Sequence, residues 1–186
     1  NPANVSALIN ALPTFNHIFH IASPWNKTNL QQAALADLLA MTTCQRNELL
    51  VLTQLSKKLI EGGSLIAAGS IVSTITAPAT SQPNHPWYAG LFSLHKANLR
   101  SIMACLHQEM PNHKIIHASL GEFHDESDID NESLKNDKAL TTQFIANTLI
   151  DLATSKSTTT NFNVDIMSKY EFLTLHQLLA SNNHRN

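Results

Sequence analysis

Residues 62–70, with the sequence GGSLIAAGS, carry the pattern that decides the fold. The two glycines follow a helical stretch and indicate that the helix ends in a turn. Residues 64–69 form a short apolar run, which is typical of a strand buried on both faces of a sheet. Three further short runs begin at positions 15, 114 and 161, with the sequences FNHIFHIA, KIIHA and NFNVDI. The sequence therefore predicts four strands.

Stretches with helical spacing of apolar residues separate these strands. We expect helices at 1–12, 30–41, 48–60, 88–110, 139–153 and 171–180. The third helix is predicted from a stripe of leucines, namely Leu49, Leu52, Leu55 and Leu59. Short strands that alternate with helices favour an α/β fold, in which helices cover both faces of a parallel sheet. No repeat or linker divides the chain, so residues 1–186 are expected to form one domain.

The composition is that of a globular protein with a weak net charge. Hydrophobic residues make up 43% of the chain, charged residues make up 14%, and the formal net charge is -2. This balance argues against a nucleic acid or an anionic membrane as partner. No apolar run reaches the roughly 18 residues of a membrane span, and we expect no signal peptide. The two distant cysteines, Cys44 and Cys105, favour a reducing environment, so we expect a cytoplasmic protein.

Two motifs stand out in the sequence, GGSLIAAGS at 62–70, which ends on Ser70, and FSLHK at 92–96. Both resemble the catalytic segments of the short-chain dehydrogenase/reductase family. Ser70 follows its predicted strand at the place where that family has its catalytic serine. The segment FSLHK at 92–96 resembles the family's Tyr-x-x-x-Lys helix. In this comparison Lys96 matches the lysine, whereas Phe92 stands at the tyrosine position.

Three further segments resemble the same family in the same order. HIAS at 20–23 stands where the family has Asn-Asn-Ala-Gly, so that Ala22 matches. HASLGEF at 117–123 resembles the family's Ser-Pro-Gly segment, with Leu120 in place of proline and Gly121 retained. NVD at 163–165 resembles a Val-Asp-Gly near the end of the family's domain.

The resemblance implies a Rossmann-like doubly wound domain that binds NAD or NADP and acts on a carbonyl or alcohol substrate. It implies catalytic positions at Ser70, Lys96 and Phe92, and cofactor-binding positions at Ala22, Lys96, Leu120 and Gly121. The chain begins with Asn1 where the family's third strand has just ended. We therefore expect the first strands, with their Gly-rich turn, to be missing from this sequence. The family's subunits pair through the helices that correspond to 48–60 and 88–110, which implies a homodimer or homotetramer.

Phe92 has no ionisable hydrogen and cannot serve as a general acid or base. Ser70 and Lys96 could still bind a carbonyl oxygen and a cofactor. Tyr88 and His95 are the two side chains that could replace the missing tyrosine as proton donor. Tyr88 lies one helical turn earlier, about 6 Å along the axis, and His95 points about 100° away from Lys96. Three interpretations remain open: an oxidoreductase with altered catalysis, a catalytically silent relative used for binding, assembly or regulation, and a generic α/β domain with chance similarity.

The ten histidines do not predict a metal site. His113, His117 and His124 lie near one another in the sequence, but no cysteine or carboxylate completes a zinc-like spacing. The acidic stretch at 122–132 lacks the glycine and the spacing of an EF-hand. We expect no metal, and we expect residues 122–136 to form an exposed lid on the substrate side.

Overall fold

The computed structural model describes residues 2–21, 28–70, 90–121, 123–124, 140–155, 162–168 and 172–173. The helices are α1 (Pro2–Ala11), α2 (Leu35–Ser56), α3 (Leu91–Glu109) and α4 (Thr142–Thr154). The main strands are β1 (Phe15–His20), β2 (Leu59–Ala68), β3 (Lys114–Leu120) and β6 (Asn163–Ile166). Two short strands, β4 (Phe123–His124) and β5 (Leu140–Thr141), pair with each other. Most of the predicted helix at 171–180 and most of the predicted lid at 122–136 lie outside the described residues.

The four main strands form one parallel sheet in the order β1-β2-β3-β6. Helices cover both faces of this sheet, which confirms the predicted α/β architecture. Within β2, residues Leu65 and Ala67 face α2 and α3, whereas Ile66 and Ala68 face α4. This alternation explains why the run at 64–69 is apolar throughout, since both of its faces are buried.

Two apolar clusters fill the layers on either side of the sheet. The layer under α2 and α3 contains Ile18, Leu52, Leu59, Leu65, Ala67, Leu99, Ile102, Met103, Leu106 and Ile115. The layer under α4 contains Ile66, Ala68, Ile116, Ala118, Leu120, Ile145, Leu149, Ala153 and Ile166. The described part of the chain contains no helix long and apolar enough to cross a membrane.

The prediction of two helices at 30–41 and 48–60 was wrong, because α2 is one continuous helix. The intervening residues 42–47 are polar but contain neither glycine nor proline, the two residues that interrupt helices most strongly. Thr42 bonds its hydroxyl to the Leu38 carbonyl at 2.8 Å, so its polar group is satisfied within the helix.

The predicted turn at Gly62–Gly63 was also wrong, because both glycines lie inside β2. The pairing with β1 shifts register between Phe15 and His17 at this point. Gly62 has a φ of 74°, and a Cβ on Gly63 would lie 2.9 Å from the Asn16 carbonyl oxygen. The glycines therefore form an irregularity in the strand, where Gly62 adopts a positive φ and a side chain on Gly63 would not fit.

Candidate active site

A row of side chains crosses the sheet near the carboxyl ends of the strands. His20 on β1 pairs in register with Ala67 on β2, and Ala67 pairs with His117 on β3. Neighbouring strands lie about 4.8 Å apart, so the small Ala67 leaves space between the two histidines. Ile18 and Leu65 lie in the layer under α2 and α3, and the two-residue period of strands puts His20, Ala67 and His117 in that same layer.

Lys96 reaches this space from α3. Its side chain is buried, with 3% of the residue exposed, and Nζ donates a hydrogen bond of 2.9 Å to the Ala68 carbonyl oxygen. Burial lowers the pKa of Lys96 from 10.5 to about 8, although the negative charge of Glu48 opposes the shift. Such a lysine is protonated at neutral pH but releases its proton far more readily than a solvated lysine.

Glu48 on α2 is the buried carboxylate nearest to this lysine in the described sequence, and the leucine stripe did not predict it. Glu48, Leu52 and Ser56 form the buried face of α2, whereas Leu49 is exposed. Glu48 Oε1 lies 3.6 Å from His20 Nε2 and 3.5 Å from His95 Nε2. Glu48 is 7% exposed and His95 is 2% exposed, so water contributes little to their solvation.

His20 and His95 complete this cluster around the carboxylate. Burial lowers the pKa of His20, the charge of Glu48 raises it, and Lys96 and His95 lower it further. Glu48 Oε2 and both ring nitrogens of His95 are buried without a hydrogen-bond partner. We call His20, Glu48 and His95 the carboxylate–histidine cluster.

His117 lies on the other side of Lys96 and is fully buried. Its Nδ1 donates to Asn163 Oδ1 at 2.8 Å, and the Ser119 hydroxyl donates to the same oxygen at 3.1 Å. Burial lowers the pKa of His117, and the hydrogen bond to Asn163 opposes this shift. His117 is therefore expected to be neutral, with its proton on Nδ1.

The structure brings Phe92 and Lys96 together. Both lie on the buried face of α3, and Nζ of Lys96 lies 5.6 Å from the centroid of the Phe92 ring. Ser70 follows Gly69 directly after β2 and is half-buried. Lys96 bonds the carbonyl of Ala68, two residues before Ser70, so the lysine lies at the strand end that carries the serine.

Two of the predicted cofactor-binding positions, Leu120 and Gly121, lie at the end of β3. Leu120 packs in the layer under α4, on the opposite side of the sheet from Lys96. Gly121 donates its N–H to the Ile166 carbonyl oxygen at 2.8 Å at the end of β3. Ala22 and the alternative donor Tyr88 lie outside the described residues.

A small pocket lies between α2 and α3 beside the site. Its lining residues are Asp37, Ala40, Met41, Cys44, Leu91, Phe92 and His95. Phe92 and His95 therefore each contribute to the wall of this pocket and to the surroundings of Lys96. No group of three metal-ligating side chains in the described ranges has the geometry to hold a metal ion.

The donors present fit a nucleotide ribose at Lys96. An ammonium group has three N–H donors, and the hydrogen bond to Ala68 uses one of them. Two donors remain for the hydroxyl groups of a sugar, at the carboxyl edge of a parallel sheet where such ligands bind.

No protein-family model matches the sequence, and no curated protein is similar to it. Several solved structures are similar in fold. A short-chain dehydrogenase from Burkholderia cenocepacia, solved with NADP, has 15% identity and a TM-score of 0.68, over 90% of this chain and 71% of that chain. A dehydrogenase/reductase from Sinorhizobium meliloti has 16% identity and a TM-score of 0.65, over 89% of this chain and 69% of that chain.

A blue fluorescent protein from a metagenomic library, solved with NADPH, has 14% identity and a TM-score of 0.70, over 91% of this chain and 72% of that chain. The chain therefore has the fold of the short-chain dehydrogenases/reductases. The resemblance first seen in the segments around Ser70 and Lys96 is confirmed at the level of the fold.

Proposed function

We propose that the protein is an NAD(P)-dependent oxidoreductase of the short-chain type that interconverts a carbonyl and an alcohol. The observation that carries this proposal is the buried ammonium of Lys96, which bonds the Ala68 carbonyl at the strand end next to Ser70. The NADP and NADPH complexes of two similar structures support the same cofactor class.

In this proposal each residue of the site has a distinct role. One of the two remaining N–H donors of Lys96 holds a ribose hydroxyl, and the Ser70 hydroxyl donates to the substrate oxygen. The backbone at Leu120 and Gly121 borders the cofactor, as does Ala22 by resemblance. When bound, the reduced nicotinamide supplies a hydride equivalent to the carbonyl carbon. Phe92 contributes an apolar wall and supplies no proton.

Cofactor binding by the full-length protein tests the proposal directly. We expect NADPH or NADH fluorescence to change saturably during titration. The Lys96→Met variant should weaken binding by about ten- to hundredfold, because a charge-assisted hydrogen bond contributes about 1.5–3 kcal/mol. Lys57→Met, at an exposed position just after α2, is the matched control and should bind like the wild type. A flat titration with both cofactors would overturn the proposal.

A catalytically silent relative that binds or regulates is the second candidate, and Phe92 favours it. The ring is 8% exposed and carries no hydroxyl at the family's proton-donor position. The test is NADPH oxidation with a panel of aldehydes and ketones, for the wild type and for Phe92→Tyr. Turnover by Phe92→Tyr alone would support the silent relative, and clear turnover by the wild type would exclude it.

Association of subunits and a cytoplasmic location are further parts of the proposal. Leu49 and Leu94 are exposed within the predicted contact segments 48–60 and 88–110. Leu38 and Leu39 are exposed earlier on α2, outside the predicted segment. Cys44 and Cys105 are free thiols, which suits a reducing compartment. Light scattering after gel filtration should give a dimer or tetramer, and Leu39→Glu should shift it towards the monomer.

A further inference from the structure

Lys96 is surrounded by titratable groups from every element that packs against it. His20 faces it from β1, Glu48 from α2 and His117 from β3. His95 and Arg100 lie on its own helix, α3. The resemblance to known motifs does not account for the carboxylate–histidine cluster, because its members match none of the family's catalytic positions.

We propose that Lys96 itself donates the proton to the substrate oxygen, beside the ring of Phe92, and that the carboxylate–histidine cluster returns a proton to Lys96 after each reaction. This inference rests on the proposed oxidoreductase function, and it assigns the general acid that Phe92 cannot be.

The position of Nζ supports the first half of the proposal. It lies 5.6 Å from the centroid of the Phe92 ring, within the range of a cation–π contact. The ammonium is therefore adjacent to the side chain that stands where the family has its proton donor.

The proton affinity of Lys96 suits this role. A general acid works best when its pKa lies near the working pH, and burial brings the pKa of Lys96 down to about 8. In carbonyl reduction the cofactor supplies two electrons and one hydrogen to the carbonyl carbon. The N–H bond of Lys96 breaks, its proton forms the O–H bond of the alcohol, and Lys96 is left as a neutral amine.

The carboxylate–histidine cluster is built to return that proton. Two imidazole nitrogens converge on Glu48 Oε1 at 3.5–3.6 Å, and the remaining polar atoms of Glu48 and His95 have no hydrogen-bond partner. The cluster therefore holds two imidazole rings, a type of side chain that accepts and releases protons near neutral pH, against one buried carboxylate. The Nδ1 proton of His117 is not part of this cluster, because it is donated to Asn163.

The first test measures the pKa of Lys96 in the purified protein without cofactor. Lysine labelled with ¹³C at Cε gives a signal that titrates with pH, and Lys96→Arg identifies it by its loss. We expect a midpoint near 8, as burial predicts. Glu48→Gln should lower the midpoint by about half a unit or more, because Glu48 raises the pKa of Lys96. Glu61→Gln, an exposed carboxylate on β2, is the matched control and should leave the midpoint unchanged.

The second test compares binding with turnover. Arginine retains the charge and the donors of lysine but does not release a proton near neutral pH. In Lys96→Arg we expect NADPH affinity within about threefold of the wild type, while kcat falls by about a hundredfold or more. In Glu48→Gln the alkaline limb of the pH profile of kcat should move to lower pH together with the measured pKa.

The outcomes separate this inference from the proposed function. Absence of NADPH binding by the wild type would remove the proposed function and this inference with it. Binding and turnover that persist in Lys96→Arg, or a Lys96 midpoint unaffected by Glu48→Gln, would overturn the inference alone. Stoichiometric zinc that is lost in Glu48→Gln would also overturn it, because the cluster would then be a metal site.

Discussion

The imidazole of His117 occupies the space that a side chain on Gly69 would fill. A Cβ on Gly69 would lie 2.9 Å from Cδ2 of His117, and still closer to Nε2 and Cε1. The two strands are fixed at this point, since the Gly69 N–H donates to the Ala118 carbonyl oxygen at 2.7 Å. The residue immediately before Ser70 is therefore a glycine because His117 requires the space, and His117 in turn supports the backbone that carries Ser70.

Replacement of Gly69 by alanine should destabilise the protein. The strands cannot separate without losing their hydrogen bonds, so His117 must move, and overpacking of this kind costs about 1–3 kcal/mol. Urea denaturation should show a lower midpoint with an unchanged m-value. Gly62→Ala is the control, because no atom lies within 4 Å of its Cβ position and its effect reports only the positive φ.

The double variant Gly69→Ala, His117→Ala tests the cause of that loss. If the imidazole is the obstacle, the two substitutions are not additive, and their coupling free energy should be about 1 kcal/mol or more. Additive effects would show that Gly69 is required for a reason other than His117.

Acid should destabilise the folded state through the buried histidines. The pKa values of His20 and His117 are lowered by burial, so below about pH 6.5 the unfolded state binds more protons than the folded state. Stability is therefore highest above this pH and falls as the pH decreases. Unfolding free energies at pH 7.5 and 5.5 should differ less in His117→Asn than in the wild type, and an equal difference in both proteins would contradict this assignment.

The fold was predictable because it depends on local patterns. The apolar run at 64–69 and the helical periods around it specify a parallel sheet covered on both faces, and the structure has this arrangement. The ends of the elements were less predictable. Leu59 pairs with Phe15 and Ser64 pairs with His17 on β1, and only that long-range pairing shows that Gly62 and Gly63 belong to a strand.

The carboxylate–histidine cluster could not be predicted, for a physical reason. A stripe of leucines suggests an apolar buried face, but the sheet contacts the face of α2 that carries Glu48, Leu52 and Ser56. Glu48 can be buried there because His20 and His95 converge on it from two other elements. Contacts of that kind have no signature in the order of residues along the chain, whereas the i, i+4 spacing of Phe92 and Lys96 does.

Asn163→Asp should raise the pKa of His117 and so favour its protonated form in the folded protein. The new carboxylate would accept the same Nδ1 proton, and an adjacent negative charge raises the pKa of an imidazole. The acid-induced loss of stability should therefore shrink relative to the wild type. Asn147→Asp on the exposed face of α4 is the matched control, and an equal response in both variants would contradict the assignment of the Asn163–His117 bond.

The burial of Lys96 predicts an unusual alkaline behaviour. Its pKa is about 8 in the folded state and 10.5 when unfolded, so between these values the unfolded state binds more protons and stability rises with pH. The shift corresponds to about 3 kcal/mol, at 1.36 kcal/mol per unit. Lys96→Met should lack this rise, and Lys57→Met should keep it, when unfolding free energies are compared between pH 7.5 and 10. If the unfolding free energy changed equally with pH in Lys96→Met and the wild type, burial of the ammonium would not destabilise the folded protein. A rise confined to proteins that retain Lys96 would show that the fold tolerates a destabilising charge beside Phe92, as expected of a group kept there to hold and release a proton.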